Sequence, residues 1–240
     1  GGLDLYDGKT FRHFRHNPSN PTSIADDRIW SIFEDSRHNI WVGTLGAGLD
    51  LYSDETNSFK HFQSNDSNSI RSNYIFSLAE DNEGNLWVGT SDGLDRLDVK
   101  TQKFTHYQNN PHDKSSLSSN IVLAVVHDRR GMIWAGTREG LNLFDPKSKS
   151  FKVFKTEDGL LDNSIVSMVE DKQGNIWIGT SMGLSCLKIS ENSGSYNFKF
   201  TNYTEADGLQ GKEFNQGAAY VTRRGELFFA GPNGFNRFMP

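Results

Sequence analysis

Three histidines invite a metal reading. His13, His61 and His106 hold the same place in Phe11-Arg12-His13-Phe14, Phe59-Lys60-His61-Phe62 and Phe104-Thr105-His106-Tyr107. Imidazole is a common ligand of zinc, but ligands of one ion sit at bonds of about 2 Å. Equivalent strands of stacked sheets lie about 10 Å apart, so three such histidines do not converge. The two later copies carry Val153 and Asn202 there. The histidines are therefore expected to be solvated outer-strand residues, and no metal is expected.

Other candidates read the same way. Asp35, Asp81 and Asp171 open polar turns but lack the Asp-x-Asp-x-Asp-Gly run of a calcium loop, so each is expected to cap its own turn. Residues 89–93 and 136–140 have phosphate-loop glycines without the Lys-Ser/Thr pair or a following helix, so no nucleotide is expected. Cys186 stands in Leu184-Ser185-Cys186-Leu187, where a packed residue belongs. No Gly-x-Ser-x-Gly nucleophile elbow is read in the chain, and no catalytic set and no cofactor are expected.

The elements that carry these residues repeat. Asp171-Lys172-Gln173-Gly174-Asn175-Ile176-Trp177-Ile178-Gly179-Thr180 recurs as Asp81-Asn82-Glu83-Gly84-Asn85-Leu86-Trp87-Val88-Gly89-Thr90. It returns around Trp41 and Trp134, and in weakened form at Phe228, with steps of 46, 47, 43 and 51 residues. A period in the forties marks a repeat architecture. Within one unit, residues 73–81 alternate as a strand, Gly84 turns the chain, 86–90 and 93–98 are further strands, and 104–107 is a fourth. Four antiparallel strands per unit predict an all-β chain, a β-propeller of four-stranded blades. Complete blades are expected at 27–62, 73–107, 120–154 and 163–203, with partial ones at 1–16 and 214–238. The whole chain, 1–240, reads as one propeller fragment, an arc of a ring that is expected to have seven blades. His38 replaces the turn glycine and is expected in a left-handed conformation.

Composition sets limits. The net charge of −5 and a pI near 5.8 argue against nucleic acid as a partner. One cysteine allows no internal disulfide. No run approaches the roughly 18 apolar residues of a membrane helix, so a membrane enters only through regions outside this chain. The opening Gly1-Gly2-Leu3-Asp4-Leu5-Tyr6 matches Gly48-Leu49-Asp50-Leu51-Tyr52, so the chain is expected to be a fragment that starts mid-repeat, and the lack of a signal peptide carries no weight.

The pattern Asp-x-x-Gly-Asn-hydrophobic-Trp-hydrophobic-Gly-Thr-x-x-Gly-Leu resembles the two-component regulator propeller repeat. Residues 26–35 and 158–165 match its loop and first strand, and residues 207–215 with 225–238 look like the last blade of such a propeller. The resemblance implies the periplasmic sensor region of a bacterial histidine kinase or hybrid two-component receptor. It further implies carbohydrate or small-molecule ligands, and an immunoglobulin-like domain, membrane helix and kinase beyond this chain.

Ligand contacts are then sought where the turn between second and third strands varies on a constant Gly-Thr and Gly frame. Arg28, Tyr74, Asp92, Arg138, Glu139, Met182 and Asn233 are the candidates. Arg suits carboxylates and sulfates, and aromatic faces suit sugars. Asp27, Asn73, Asn120 and Asn163 hold one repeated position and read as caps. Two other readings stand beside the sensor. One is a propeller lyase using His, Glu and magnesium, for which Glu139 and His112 form no evident set. The other is a non-catalytic interaction scaffold, in which open blade faces self-associate.

Overall fold

The computed structural model describes residues 1–65, 68–192 and 194–240. The described residues form twenty-one strands and two short 3-10 turns. They divide into two compact units, residues 1–106 and 107–240.

In the first unit, β1 (Leu3–Tyr6) and β2 (Phe11–Phe14) form a two-stranded sheet. β3 (Ile29–Glu34), β4 (Ile40–Thr44), β5 (Leu49–Ser53) and β6 (Ser58–Phe62) form a four-stranded antiparallel sheet. β7 (Ile75–Glu80), β8 (Leu86–Thr90), β9 (Gly93–Asp98) and β10 (Lys103–Tyr107) form another. In the second unit, β11 (Val122–His127) to β14 (Ser150–Phe154) and β15 (Ile165–Glu170) to β18 (Ser195–Tyr203) repeat the arrangement. β19 (Ala219–Val221), β20 (Leu227–Gly231) and β21 (Gly234–Phe238) form a three-stranded sheet. These are the blades of a β-propeller: four complete, one two-stranded and one three-stranded. Residue 193 of the fourth complete blade lies outside the described residues.

The second strand is the buried one. β8, β12 (Ile133–Thr137) and β16 (Ile176–Thr180) are buried at every position. The tryptophan of each lies near the centre: Trp41 is 1% exposed, Trp87 2%, Trp134 0% and Trp177 6%. An indole buried this deeply brings a polar N–H with it, which must be satisfied. The turn aspartate supplies the acceptor. Trp Nε1 donates to Asp Oδ2 at 3.0 Å for Trp41 and Asp35, 2.9 Å for Trp87 and Asp81, 3.1 Å for Trp134 and Asp128, and 2.8 Å for Trp177 and Asp171. The other carboxylate oxygen caps the turn, as expected: Asp35 Oδ1 accepts from the backbone N–H of Arg37 and Asn39, both at 2.9 Å. The turn's fourth residue takes positive φ, 64° for His38 against 78° to 94° for Gly84, Gly131, Gly174 and Gly225. The three-stranded sheet changes both partners together. Phe228 needs no acceptor, and Thr222 Oγ1 still caps the turn by accepting from the N–H of Glu226 at 3.0 Å.

Neighbouring sheets pack closely at the Gly-Thr step. A Cβ on Gly43 would come within 2.6 Å of Ile75 Cγ2 on the next sheet, and one on Gly136 would collide with Ile165. Arginine clamps tie successive turns: Arg37 donates to the carbonyl of Gly84 at 2.5 Å, and Arg130 to that of Gly174 at 2.8 Å.

Three outcomes are expected. Asp35→Ala leaves a buried indole N–H and two turn amides unpaired and costs roughly 2–4 kcal/mol in denaturant unfolding. Asp35→Thr combined with Trp41→Phe, the pair that Thr222 and Phe228 already make, costs less than the sum of its single changes in a double-mutant cycle. Burial works against the charge of Asp35 and Asp81, but the indole and turn donors outweigh it and hold both below the ordinary carboxylate value of 3.8. Their contribution is present above that value and lost as pH falls below it. Unfolding measured across this window is expected to show acid destabilisation, shallower in Asp35→Asn.

Candidate functional site

The turn between second and third strands is locked by its threonine. Oγ1 of Thr44, Thr90, Thr137 and Thr180 donates to the carbonyl of Gly48, Gly93, Gly140 and Gly183 at 2.8, 2.9, 3.1 and 2.9 Å. The same oxygen accepts from the backbone N–H of Ala47, Asp92, Glu139 and Met182 at 3.0 to 3.1 Å. A side chain that closes a turn on itself in this way fixes the backbone without using the neighbouring residues' side chains. Those neighbours are the candidate contacts. In the last sheet Gly231 stands where the threonine would be, and Gln210 Oε1 takes over, accepting from the N–H of Asn233 at 2.9 Å.

Within the first unit, Arg28, Tyr74 and Asp92 lie on adjoining segments. Leu45 pairs with Tyr74 in an isolated bridge, the carbonyl of Arg28 accepts from the N–H of Leu45 at 3.0 Å, and that of Tyr74 accepts from Ser91 at 3.3 Å. Tyr74 is 49% exposed. Arg28 is not a free cation: its Nη2 and Nε reach both Asp26 carboxylate oxygens at 2.7 to 3.2 Å. The Arg28 guanidinium draws Asp26 below the usual carboxylate range. Within the second unit, Arg138 and Glu139 are exposed on one locked turn, and Met182 is 48% exposed on another. Asn233 is exposed on the turn held by Gln210.

Asp27, Asn73, Asn120 and Asn163 act as caps. Their Oδ1 atoms accept from the backbone N–H of His16, Ser64, Asn109 and Thr156 at 2.8, 2.8, 2.7 and 2.9 Å, closing the base of each inter-blade loop.

The histidine expectation needs correction. His61 Nδ1 lies 2.6 Å from Asp50 and His106 Nδ1 lies 2.7 Å from Asp95, with both aspartate side chains fully buried and the histidine side chains only 24% and 18% exposed. His13 remains 60% exposed and meets Asp4 at 2.8 Å. Register is the cause, since Asp50 stands opposite His61 and Asp4 opposite His13 across third and fourth strands. The same third-strand column anchors the preceding loop. Asp50, Asp95, Asn142, Ser185 and Asn236 accept from the backbone N–H of Ala25, Arg71, Ser118, Leu161 and Gln210 at 2.8 to 3.1 Å. The signal was present as the polar third residue of every Gly-hydrophobic-polar triplet. Burial raises the pKa of Asp50, opposed by His61 and the Ala25 amide.

Two segments do spell Gly-x-Ser-x-Gly, at 89–93 and 179–183. Both are turns between antiparallel strands with no helix, so neither is an elbow. Ser91 Oγ instead pairs with Ser72 Oγ at 2.8 Å. Cys186 is buried, and burial pushes its thiol up to about 11, with the Asp171 charge adding to the effect. A thiol so rarely ionised is a poor nucleophile. Among the described residues no group of His, Cys, Asp and Glu is placed to hold a metal ion.

Comparison with known proteins places this geometry. Residues 23–46, 69–92 and 159–182 match the family model of the two component regulator propeller. Its structure is similar to what is described as the extracellular domain of hybrid two component system BT3049 from B. thetaiotaomicron, at 25% identity and a TM-score of 0.81, over 99% of this chain and 31% of that one. A second extracellular domain, of hybrid two component system BT4673 from the same organism, matches at 24% identity and a TM-score of 0.57, covering 100% of this chain and 34% of that one. Virginiamycin B lyase from Staphylococcus aureus shares the fold at 10% identity and a TM-score of 0.63, over 96% of this chain and 74% of that one. The chain thus spans about a third of the two extracellular domains. No curated protein matches it.

Thr137→Val keeps shape but removes both turn bonds. It is expected to cost about 1–2 kcal/mol in thermal or denaturant unfolding and to speed amide exchange at Glu139. Arg138→Ala and Glu139→Ala, by contrast, should change stability by no more than about 0.5 kcal/mol.

Proposed function

We propose that the chain is the ligand-sensing part of a bacterial receptor. It binds a small molecule or an oligosaccharide through its second-to-third-strand turns and passes the event to a cytoplasmic histidine kinase or similar output. The observation that carries this reading is the division of labour at those turns. Thr137 and Thr180 hold the backbone, while Arg138, Glu139 and Met182 stand exposed on it. Side chains that do no structural work on a rigid frame are free to differ between copies, which suits recognition.

The chemistry of each unit narrows the ligand. Arg138 offers a guanidinium to a carboxylate or sulfate. Tyr74 offers an aromatic face to a sugar ring. Arg28, already held by Asp26, serves better as a positioned hydrogen-bond donor than as an unpaired charge. The similarity to an extracellular domain of a hybrid two component system supports an extracytoplasmic setting, which we assign to the periplasm. The greater similarity to an extracellular domain of a hybrid two component system than to the lyase supports a non-enzymatic role over the lyase reading. A ligand bound here acts on output only by binding two receptor states unequally.

A calorimetric and thermal-shift screen of the folded chain against acidic and neutral oligosaccharides and small carboxylates tests this. At least one ligand should bind saturably and raise the melting temperature, and Arg138→Ala or Tyr74→Ala should weaken it about tenfold without lowering basal stability. Binding untouched by either change, or no binding across the screen, removes the assignment.

A further inference from the structure

His61 touches two acceptors at once. Its Nδ1 lies 2.6 Å from Asp50 Oδ1, and its Nε2 lies 3.0 Å from the carbonyl oxygen of Pro21. A carboxylate and a carbonyl oxygen both accept, and proline has no N–H to offer. Nε2 must therefore carry a proton, and a second proton must lie between Nδ1 and Oδ1. The count is the same whether the pair is written as imidazolium and carboxylate or as imidazole and carboxylic acid. With one proton fewer, two lone pairs face each other across one of these contacts, and that contact is lost. The bond to the buried carboxylate is charge-assisted and stronger. The bond to the Pro21 carbonyl, which water can replace, is the one that breaks.

These contacts hold the segment that enters β3. The other Asp50 oxygen accepts from the N–H of Ala25 at 2.8 Å, and the Thr22 carbonyl accepts from the N–H of Phe59 at 2.9 Å. Residues 21–25 are thus pinned to β5 and β6 at Pro21, Thr22 and Ala25.

We propose that His61 and Asp50 form a proton-operated latch, which holds residues 21–25 on the sheet while the pair carries two protons and releases Pro21 when it loses one. The surroundings set the direction. Across the sheet from Asp50, β4 presents Val42 and β6 presents His61. The entering segment presents the Ala25 amide and the charge of Asp26, itself paired with Arg28. Burial, with Asp26 adding to it, raises the Asp50 carboxyl above the ordinary 3.8, against the pull of His61 and the Ala25 amide. In the unfolded chain this carboxyl gives up its proton near 3.8. The latch therefore contributes fully below that value, and its contribution is lost as pH rises through the higher value of the folded pair. The ligand contacts assigned above play no part in it.

The second unit supplies a reference. Asn142 stands opposite Val153 there, and neither titrates. Asn142 Oδ1 accepts from the N–H of Ser118 at 2.8 Å, and the Ser115 carbonyl accepts from the N–H of Phe151 at 2.7 Å. The test is amide exchange of the whole chain, each rate divided by that of an unstructured peptide at the same pH. From about pH 4 to about pH 9, protection at Phe59 should fall about tenfold while protection at Phe151 stays level. A slowly exchanging Nε2–H signal of His61 should disappear in step with it. Asp50→Asn combined with His61→Val, which copies the pair at Asn142 and Val153, should remove the step. Level protection at Phe59, a parallel fall at Phe151, or a step that survives the double change overturns the proposal. The first two are read on the unaltered chain, so the result does not depend on how well the variant folds.

Discussion

The hydrogen bond from each buried indole to its turn aspartate is the constraint on which the rest of the structure depends. Tryptophan offers a sheet the largest apolar filler available, but its N–H is costly to bury unpaired. Asp35, Asp81, Asp128 and Asp171 remove that cost and fold the turn with the same carboxylate. Filler and hairpin become one unit. The last sheet makes the point by contrast: Phe228 carries no N–H, and threonine suffices at the turn. Once the second strand is pinned in this way, its glycine can pass close to the next sheet.

Polar residues inside these sheets are used as fasteners. The third-strand column of Asp50, Asp95, Asn142, Ser185 and Asn236 reaches back to the loop that enters each sheet, and the Asp27, Asn73, Asn120 and Asn163 column closes the same loop at its other end. Loops of this length would otherwise be free to wander. Held at both ends, they present their tips from a fixed base. Thr137 and Thr180 do the same for the second-to-third-strand turns. What varies between copies is then left to side chains such as Arg138 and Met182, which do no structural work.

Much of this was legible in the residues. The Trp spacing specified the repeat, the alternation at residues 73–81 specified strands, and the glycines and His38 specified turns. Candidate contacts were legible only as variation on a constant frame. Two things were not. The indole acceptor was hidden because Asp35 and Trp41 are six residues apart and lie on opposite arms of a hairpin. The histidines were misread because His61 is adjacent in sequence only to strand residues, while its partner Asp50 is eleven positions away across the sheet.

By itself the sequence determined the period, the four-stranded unit and the hairpin turns, because these depend on local alternation and on single residues that tolerate positive φ. It also determined which positions vary. Only the tertiary structure decided the pairings across strands and the burial of Asp50 and Asp95. It alone showed Arg28 already engaged by Asp26. Those are properties of register and of sheet-on-sheet packing, in which the partners come from segments that no local pattern joins.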